Sequence, residues 1–495
     1  MTLLLVVISI GVYFFIYRDW GTSPEKNYNQ YCGSCHLTPD PANIPKSIWR
    51  NRILPEMAAR MGYRYNNNDP FKFSMEENYY IKLSNAFPEE SLIDSIQWKQ
   101  IHDYVINLAP DSISNSPSRI GRNSDLSQFE SSLRTLDSLK TTGGIVSINF
   151  DASSNKFLIG DINGKLHDGE NPIPIRKASS SPIVSSFVDD STLYLTEVGI
   201  LNPSELSRGK IYSIKDKQIT SIFNNLHRPV YTEVNDLNND GNKEIIICEF
   251  GHHSGQLSML IKRDSVFEKR TLLGFPGSIK VEITDMNGDG KKDIVALFSQ
   301  GREGIYVFYQ KDDLMFDVKQ IIKMGPEYGS SWFSLFDYDD DEDLDIVLVN
   351  GDNADNSNFL KPYHGIRLFI NDGGNDFTEE WFYPINGATR VMVEDFDLDG
   401  DHDFAVLSFF PDFENCPEEG FVYLENLDSE SYNFKPYITQ EAKKGNWLVM
   451  EKGDFDRDGD VDIMLGNFSL LTTSKLKGAN QYDVLYLENM ALKEK

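Results

Sequence analysis

The chain has 495 residues, with 76 acidic against 47 basic side chains and a formal net charge of −29. That length allows a large core or several domains, and the acidity excludes a nucleic-acid partner, which needs a basic footprint. Much of the charge is packed into five short loops, so bound divalent ions would offset part of it, and a cationic partner is not implied.

Residues 2–17, TLLLVVISIGVYFFIY, are apolar and uncharged. They fall slightly short of the roughly 20 residues a spanning helix wants. A cleaved signal peptide should carry a basic n-region and a small-residue cleavage site; neither is present, and no Cys follows to take a lipid. Residues 1–20 are therefore expected to be an uncleaved membrane anchor, with a cleaved signal as the other reading. Either way the remainder is expected on the periplasmic or surface side of a bacterial cell envelope.

Cys32-Gly33-Ser34-Cys35-His36 follows. A C-x-x-C-H run reads as covalent haem c attachment: two thiols three positions apart form thioether links, and the next residue binds iron. A zinc half-site would need a second ligand pair, whereas Cys248 and Cys416 stand alone. A redox dithiol would need a βαβ setting. A sixth iron ligand is most often Met, with His as the other common choice. Met57, in the Pro-started turn Pro55-Glu56-Met57, is the expected one, with Met61, Met75 and His102 as alternatives. Residues 91–108 read as a helix with Leu92, Ile96, Ile101, Tyr104, Val105 and Leu108 along its apolar side. Pro110 lies just past its end. Residues 111–142 are Ser- and Asn-rich and read as a linker, with a short helix over Leu126 to Leu139.

From 143 to 495 the chain repeats. Loops begin at Asp236, Asp285, Asp337, Asp395 and Asp454 and read DLNNDGNKE, DMNGDGKKD, DYDDDEDLD, DFDLDGDHD and DFDRDGDVD. Oxygen-bearing side chains recur at positions 1, 3, 5 and 9, and four of the five have Gly at position 6. Carboxylates crowded on one turn repel one another unless a hard cation sits among them, and Ca²⁺, with six to eight oxygens and tolerant geometry, suits best. An EF-hand would place a bidentate Glu at position 12. Here that position is Ile247, Ala296, Leu348, Val406 or Leu465, inside runs that read as buried strands. Third strands are expected at 304–310, 365–371, 421–426 and 484–489, with an outer strand before the next unit. Degenerate units precede at Asp151 and Asp189. Four strands in each period of about 40–60 residues is a propeller signature. The expected fold is mainly β: a seven-bladed β-propeller behind an all-α N-terminal domain and a hydrophobic anchor.

Two resemblances follow from these motifs. Residues 21–110, with an aromatic helix running into the C-x-x-C-H and a later Met, resemble a small class I cytochrome c domain. That resemblance implies one-electron transfer by one covalent haem c, with Cys32, Cys35, His36 and Met57 as its protein contacts. The repeats resemble the FG-GAP/VCBS calcium-loop propellers, also seen in integrin heads. This implies about five Ca²⁺, bound by side chains at positions 1, 3, 5 and 9 and the position-7 carbonyl. The residues concerned are Asp236, Asn238, Asp240, Asn242 and Glu244; Asp285, Asn287, Asp289, Lys291 and Asp293; Asp337, Asp339, Asp341, Asp343 and Asp345; Asp395, Asp397, Asp399, Asp401 and Asp403; and Asp454, Asp456, Asp458, Asp460 and Asp462. Glu342 stands where Gly is usual, so that turn is expected to be strained.

The favoured function is an envelope electron carrier with a redox partner protein, using the propeller as a docking or ligand-binding platform for a glycan or small molecule. A propeller dehydrogenase feeding its own haem and a calcium-dependent adhesin are the alternatives. Loops at one end of the channel hold the other candidates: Glu249, His252, His253, Asp352, Asn353, Asp355, Tyr363, His364, Asp412 and Glu414. No catalytic residue is assigned.

Overall fold

In the computed structural model, residues 23–65, 69–113, 126–136, 143–168, 171–173, 181–264, 266–353, 359–469 and 481–493 are described. The expected anchor at 2–17 lies outside them. Among the described residues no helix is long and apolar enough to cross a membrane. These residues fall in two compact units, one built from those up to 70 together with 87–113, the other from 71–86 and those from 114 onward.

The second unit holds seven four-stranded antiparallel sheets, the blades of a propeller. In the five blades with acidic loops the central strand is a run of β-branched and apolar residues: Glu244–Glu249, Asp293–Phe298, Asp345–Asn350, Asp403–Ser408 and Asp462–Asn467. Every residue in these strands is buried, since both faces pack on neighbours. Ile246 and Cys248 of one blade share a cluster with Val281, Ile294 and Phe298 of the next. Val347 and Val349 meet Val391, Phe404 and Val406 in the same way. Fully burying each such side chain contributes about 1.5–3 kcal/mol, so the blades are held mainly by contact with one another.

Each inner strand carries the same irregularity near its start, a shift of register between Ile145/Ser147, Ile183/Ser185, Pro229/Tyr231, Ser278/Lys280, Ser330/Trp332, Ala388/Arg390 and Trp447/Val449. A bulge bends and twists a strand, and seven equivalent bends fit seven strands converging on one axis. The third strands Gly304–Gln310, Gly365–Asn371, Phe421–Asn426 and Val484–Asn489 coincide with the sequence expectation.

The helix expected over Leu126 to Leu139 is a strand instead, Phe129–Arg134. It pairs antiparallel with Val484–Asn489, Phe129 opposite Asn489 and Arg134 opposite Val484. The first strand of the unit thus supplies the outermost strand of the last blade and closes the ring. Long-range pairing overrode a local pattern, FESSLR, that favours neither state strongly.

The first unit is partly helical. Pro24–Cys32, capped by Ser23, packs on Ser95–Leu108 through Tyr28 against Tyr104, ring centroids 5.4 Å apart, and a 2.6 Å bond from Asn27 to Gln100. The second helix begins at Ser95, not Ser91, because Asp94 and Gln97 form a capping box. Its buried stripe is Trp98, Ile101 and Val105, whereas Leu92, Ile96 and Leu108 are exposed. Ile101 and Val105 of the expected apolar side do face inward, but the stripe runs through Trp98, packed near Tyr63 and Tyr65, and not through Leu92, Ile96 and Leu108. Met57 lies within the helix Leu54–Arg60 rather than in a free turn. Met75 heads a helix of the propeller unit, Met75–Ser84, that the sequence did not signal.

Candidate metal centres

Each acidic loop starts one residue past an inner strand and ends on the first residue of the central strand. The fold therefore delivers nine residues as a closed turn, and the same hydrogen bonds recur in it. Asp236 accepts the N–H groups of Asp240 at 3.1 Å and Gly241 at 2.9 Å. Asp285, Asp337 and Asp395 repeat this pair. In all five loops the position-5 carboxylate accepts the position-7 N–H. Positions 4 and 6 are left-handed throughout. Gly241, Gly290, Gly400 and Gly459 have φ of 86°, 82°, 104° and 101°, and Glu342 is forced to 74°. The strain expected at Glu342 is present.

Position 9 does more than the sequence suggested. Glu244, Asp293, Asp345, Asp403 and Asp462 each accept the position-2 N–H of their own loop, at 2.8 to 3.2 Å. In the last four loops the other oxygen accepts an N–H from the third strand, at Gln310, Asn371, Asn426 or Asn489. Tyr423 and Tyr486 add hydroxyl bonds to Asp403 and Asp462. This carboxylate welds loop to blade, with lone pairs left over for a cation.

Three of the loops bring carboxylates of their set within 4.8 Å of one another: Asp337, Asp339 and Asp345; Asp395, Asp397 and Asp399; Asp454, Asp456 and Asp458. Asn238 and Asn287 take position 3 in the other two and offer a neutral amide oxygen. Burial, with neighbouring carboxylates, raises Asp345, Asp397, Asp401 and Asp460 to about 6 and Asp403 to about 7. Asp454 Oδ1, at position 1 of its loop, is buried with no hydrogen-bond partner. A buried, unpaired carboxylate oxygen is costly, and a hard divalent ion coordinated by several such oxygens offsets that cost. The donor set therefore fits Ca²⁺. The last loop differs in that Lys493 Nζ lies 2.5 Å from Asp456 and 3.4 Å from Asp458, a tethered ammonium beside the carboxylates.

The two degenerate units lack this set. Asp151 is satisfied by the hydroxyls of Ser153 and Ser154. Asp189 and Thr192 flank a two-residue turn whose Asp190 and Ser191 are both left-handed, a plain hairpin.

In the first unit, Cys32 closes its helix and Gly33 caps it. Cys35 is exposed and His36 half-buried. Burial, then the neighbouring Cys35, pushes the Cys32 thiol up to about 12. His36 Nδ1 lies 2.6 Å from the Leu37 carbonyl, which fixes the proton on Nδ1 and leaves Nε2 as the electron-pair donor. Two thiols and one oriented imidazole within five residues are a donor set that fits haem c.

Of the loop candidates, Glu249 is fully buried and spent on Gln256, Ser258, Lys269 and the His227 N–H, a structural role. Asp412 organises its own turn through Glu414 and Asn415. Tyr363 packs at a tilt against Tyr328, ring centroids 5.0 Å apart, and burial holds His364 well below the usual histidine range. Asp352 and Asn353 lie in the loop after their strand, and Asp355 falls outside the described residues. His252 and His253 lie side by side, ring centroids 4.2 Å apart, and meet Glu205, a residue in no sequence motif.

Residues 285–348 match a family model described as FG-GAP-like repeat. The match spans the loops at Asp285 and Asp337 and the strands between them. Fold and repeat together define a seven-bladed β-propeller carrying FG-GAP-like sequence. Among solved structures, the Cps50 (Swd1) β-propeller domain of Myceliophteria thermophila is similar over 68% of this chain and 97% of that one. The two share 12% identity at a TM-score of 0.41. No curated protein matched the chain.

Proposed function

We infer that the protein is an envelope-exposed c-type cytochrome, a one-electron carrier whose calcium-stabilised propeller is its docking platform. The observation that carries this is His36, its Nδ1 tied to the Leu37 carbonyl, directly after Cys35 and four positions beyond Cys32. Cys32 and Cys35 would hold the porphyrin by thioether bonds, and His36 Nε2 would be the proximal ligand. Met57 is the proposed distal ligand, with Met61 and His102 as the alternatives in the same unit. Bound there, haem supplies reversible one-electron chemistry. The chain's own part is to fix the imidazole tautomer through the Leu37 carbonyl. The small unit also leaves Leu37, Leu92 and Ile96 exposed, apolar surface of the kind a porphyrin covers. A redox partner protein in the envelope, membrane attachment through residues 2–17 and a docking surface on the propeller belong to the same reading.

The test is haem retention on denaturing electrophoresis after expression with a haem-attachment system. The intact chain should carry covalent haem, and the Cys32→Ser, Cys35→Ser pair should carry none. Equal staining of the two, or none in either, would overturn the reading.

A further inference from the structure

We propose that Glu205, His252 and His253 form a binding site for a transition-metal ion, Zn²⁺ foremost, separate from the acidic loops. One ligand atom from each of the three lies within 4.8 Å of the others. Glu205 comes from the loop after Thr192–Glu197, and the two histidines from the loop after Glu244–Glu249 in the adjacent blade. Two strand exits are thereby brought to one point.

The chemistry selects the ion. Two imidazoles and a carboxylate suit zinc and its neighbours, whereas Ca²⁺ takes an all-oxygen set. Ligands on Zn²⁺ lie about 2.0–2.2 Å from the metal, so the three atoms must draw together. His252 is the one partly exposed member of the three.

The carboxylate is held in place from behind. Glu205 is buried and accepts the N–H of His253 at 2.8 Å, the N–H of Ser254 at 3.0 Å and the Ser254 hydroxyl. His227 Nδ1 lies 3.3 Å from that hydroxyl and 3.2 Å from the Glu205 carbonyl. Such outer partners fix ligand orientation at metal sites. Above, the helix Met75–Ser84 is fastened to the same loop: Ser204 donates to Glu77, Tyr80 bonds Ser207 at 2.8 Å, and Arg208 pairs with Glu76 at 2.7 Å. The Tyr80 ring lies edge-on to His227, and Phe73 edge-on to His253. Three protein ligands leave a coordination position for water or a small anionic ligand.

The bland reading is that Glu205 merely caps the 252–254 turn and the imidazoles merely stack. Zinc counting separates the two. The full chain is stripped with chelator, returned to excess Ca²⁺ to fill the acidic loops, dialysed against Zn²⁺ and assayed for bound zinc by elemental mass spectrometry. The intact chain should hold one more zinc per molecule than His252→Ala, and His252→Cys should restore it. Zinc on Cys32, Cys35 and His36 contributes equally to each and cancels. Equal zinc in the intact chain and His252→Ala would overturn the site. His252→Gln, which keeps the side-chain volume, carries the same comparison if His252→Ala fails to fold.

Discussion

Glu342 illustrates how much one residue costs when a repeated turn is already fixed by its hydrogen bonds. Its N–H must reach Asp337 at 3.0 Å, and this holds it at φ 74°. An L-residue there costs about 1–2 kcal/mol, while glycine loses about 0.5–1 kcal/mol of chain entropy on folding. Glu342→Gly should therefore raise the melting temperature by about 1–2 °C, and an unchanged or lower value in a thermal melt would contradict the strain. Asp395 and Asp399 do structural work apart from the proposed calcium binding. They hold backbone N–H groups whether or not an ion is bound, so their loss destabilises the chain even in chelator. What isolates the metal is the gap between melts in Ca²⁺ and in EGTA. Asp395→Ala with Asp399→Ala should narrow that gap by the share of one site, about 2.7 kcal/mol at a hundredfold excess over Kd. An undiminished gap would remove this loop from the calcium set.

The loop is the element whose electrostatics make a distinct pH prediction. Burial and crowding lift Asp345, Asp397, Asp401 and Asp460 to about 6 and Asp403 to about 7, above the usual unfolded value near 3.9. The folded, metal-free state therefore binds protons more tightly than the unfolded one. By linkage, these groups destabilise the metal-free fold above pH 7, and that penalty is relieved as pH falls from 7 toward 4. Under the proposed calcium binding, Ca²⁺ competes with protons for Asp345, Asp397 and Asp403, which supply side chains at positions 3 and 9, so its stabilisation must move the other way. The gap between calcium and EGTA melts should be largest near pH 8 and clearly smaller at pH 5.5; a gap independent of pH would contradict the assignment.

These loops were legible because spacing, glycine and the apolar position 12 are all local. Other features were not. The left-handed position 4 is filled by Asn239, Gly288, Asp340, Leu398 and Arg457, which share no chemistry. Position 9 looked like a ligand alone, because its bond to the third strand joins residues as far apart as Asp462 and Asn489. Strand Phe129–Arg134 was read as helix for the same reason: its partner lies at the far end of the chain. Glu205 gave no signal because only the packing of two blades brings it to His252 and His253.

Ring closure is the property of the whole molecule that depends most on one strand. Phe129 is buried between Phe396 and Tyr423, ring centroids 5.6 and 5.4 Å away, in the cluster that also holds Trp447. Phe129→Ala should cost about 3–5 kcal/mol, read as a shifted denaturation midpoint of the propeller; a change below about 1 kcal/mol would mean that the ring closes without it. The propeller so closed carries the loops, and the first unit carries Cys32, Cys35 and His36. The measurement that bears most directly on the joint account is a visible spectrum of the intact chain, made with a haem-attachment system and recorded before and after reduction. The account predicts a c-type haem spectrum that switches reversibly between two oxidation states, perturbed in Met57→Ala while the haem stays attached. A colourless protein, properly folded and exported, would contradict it.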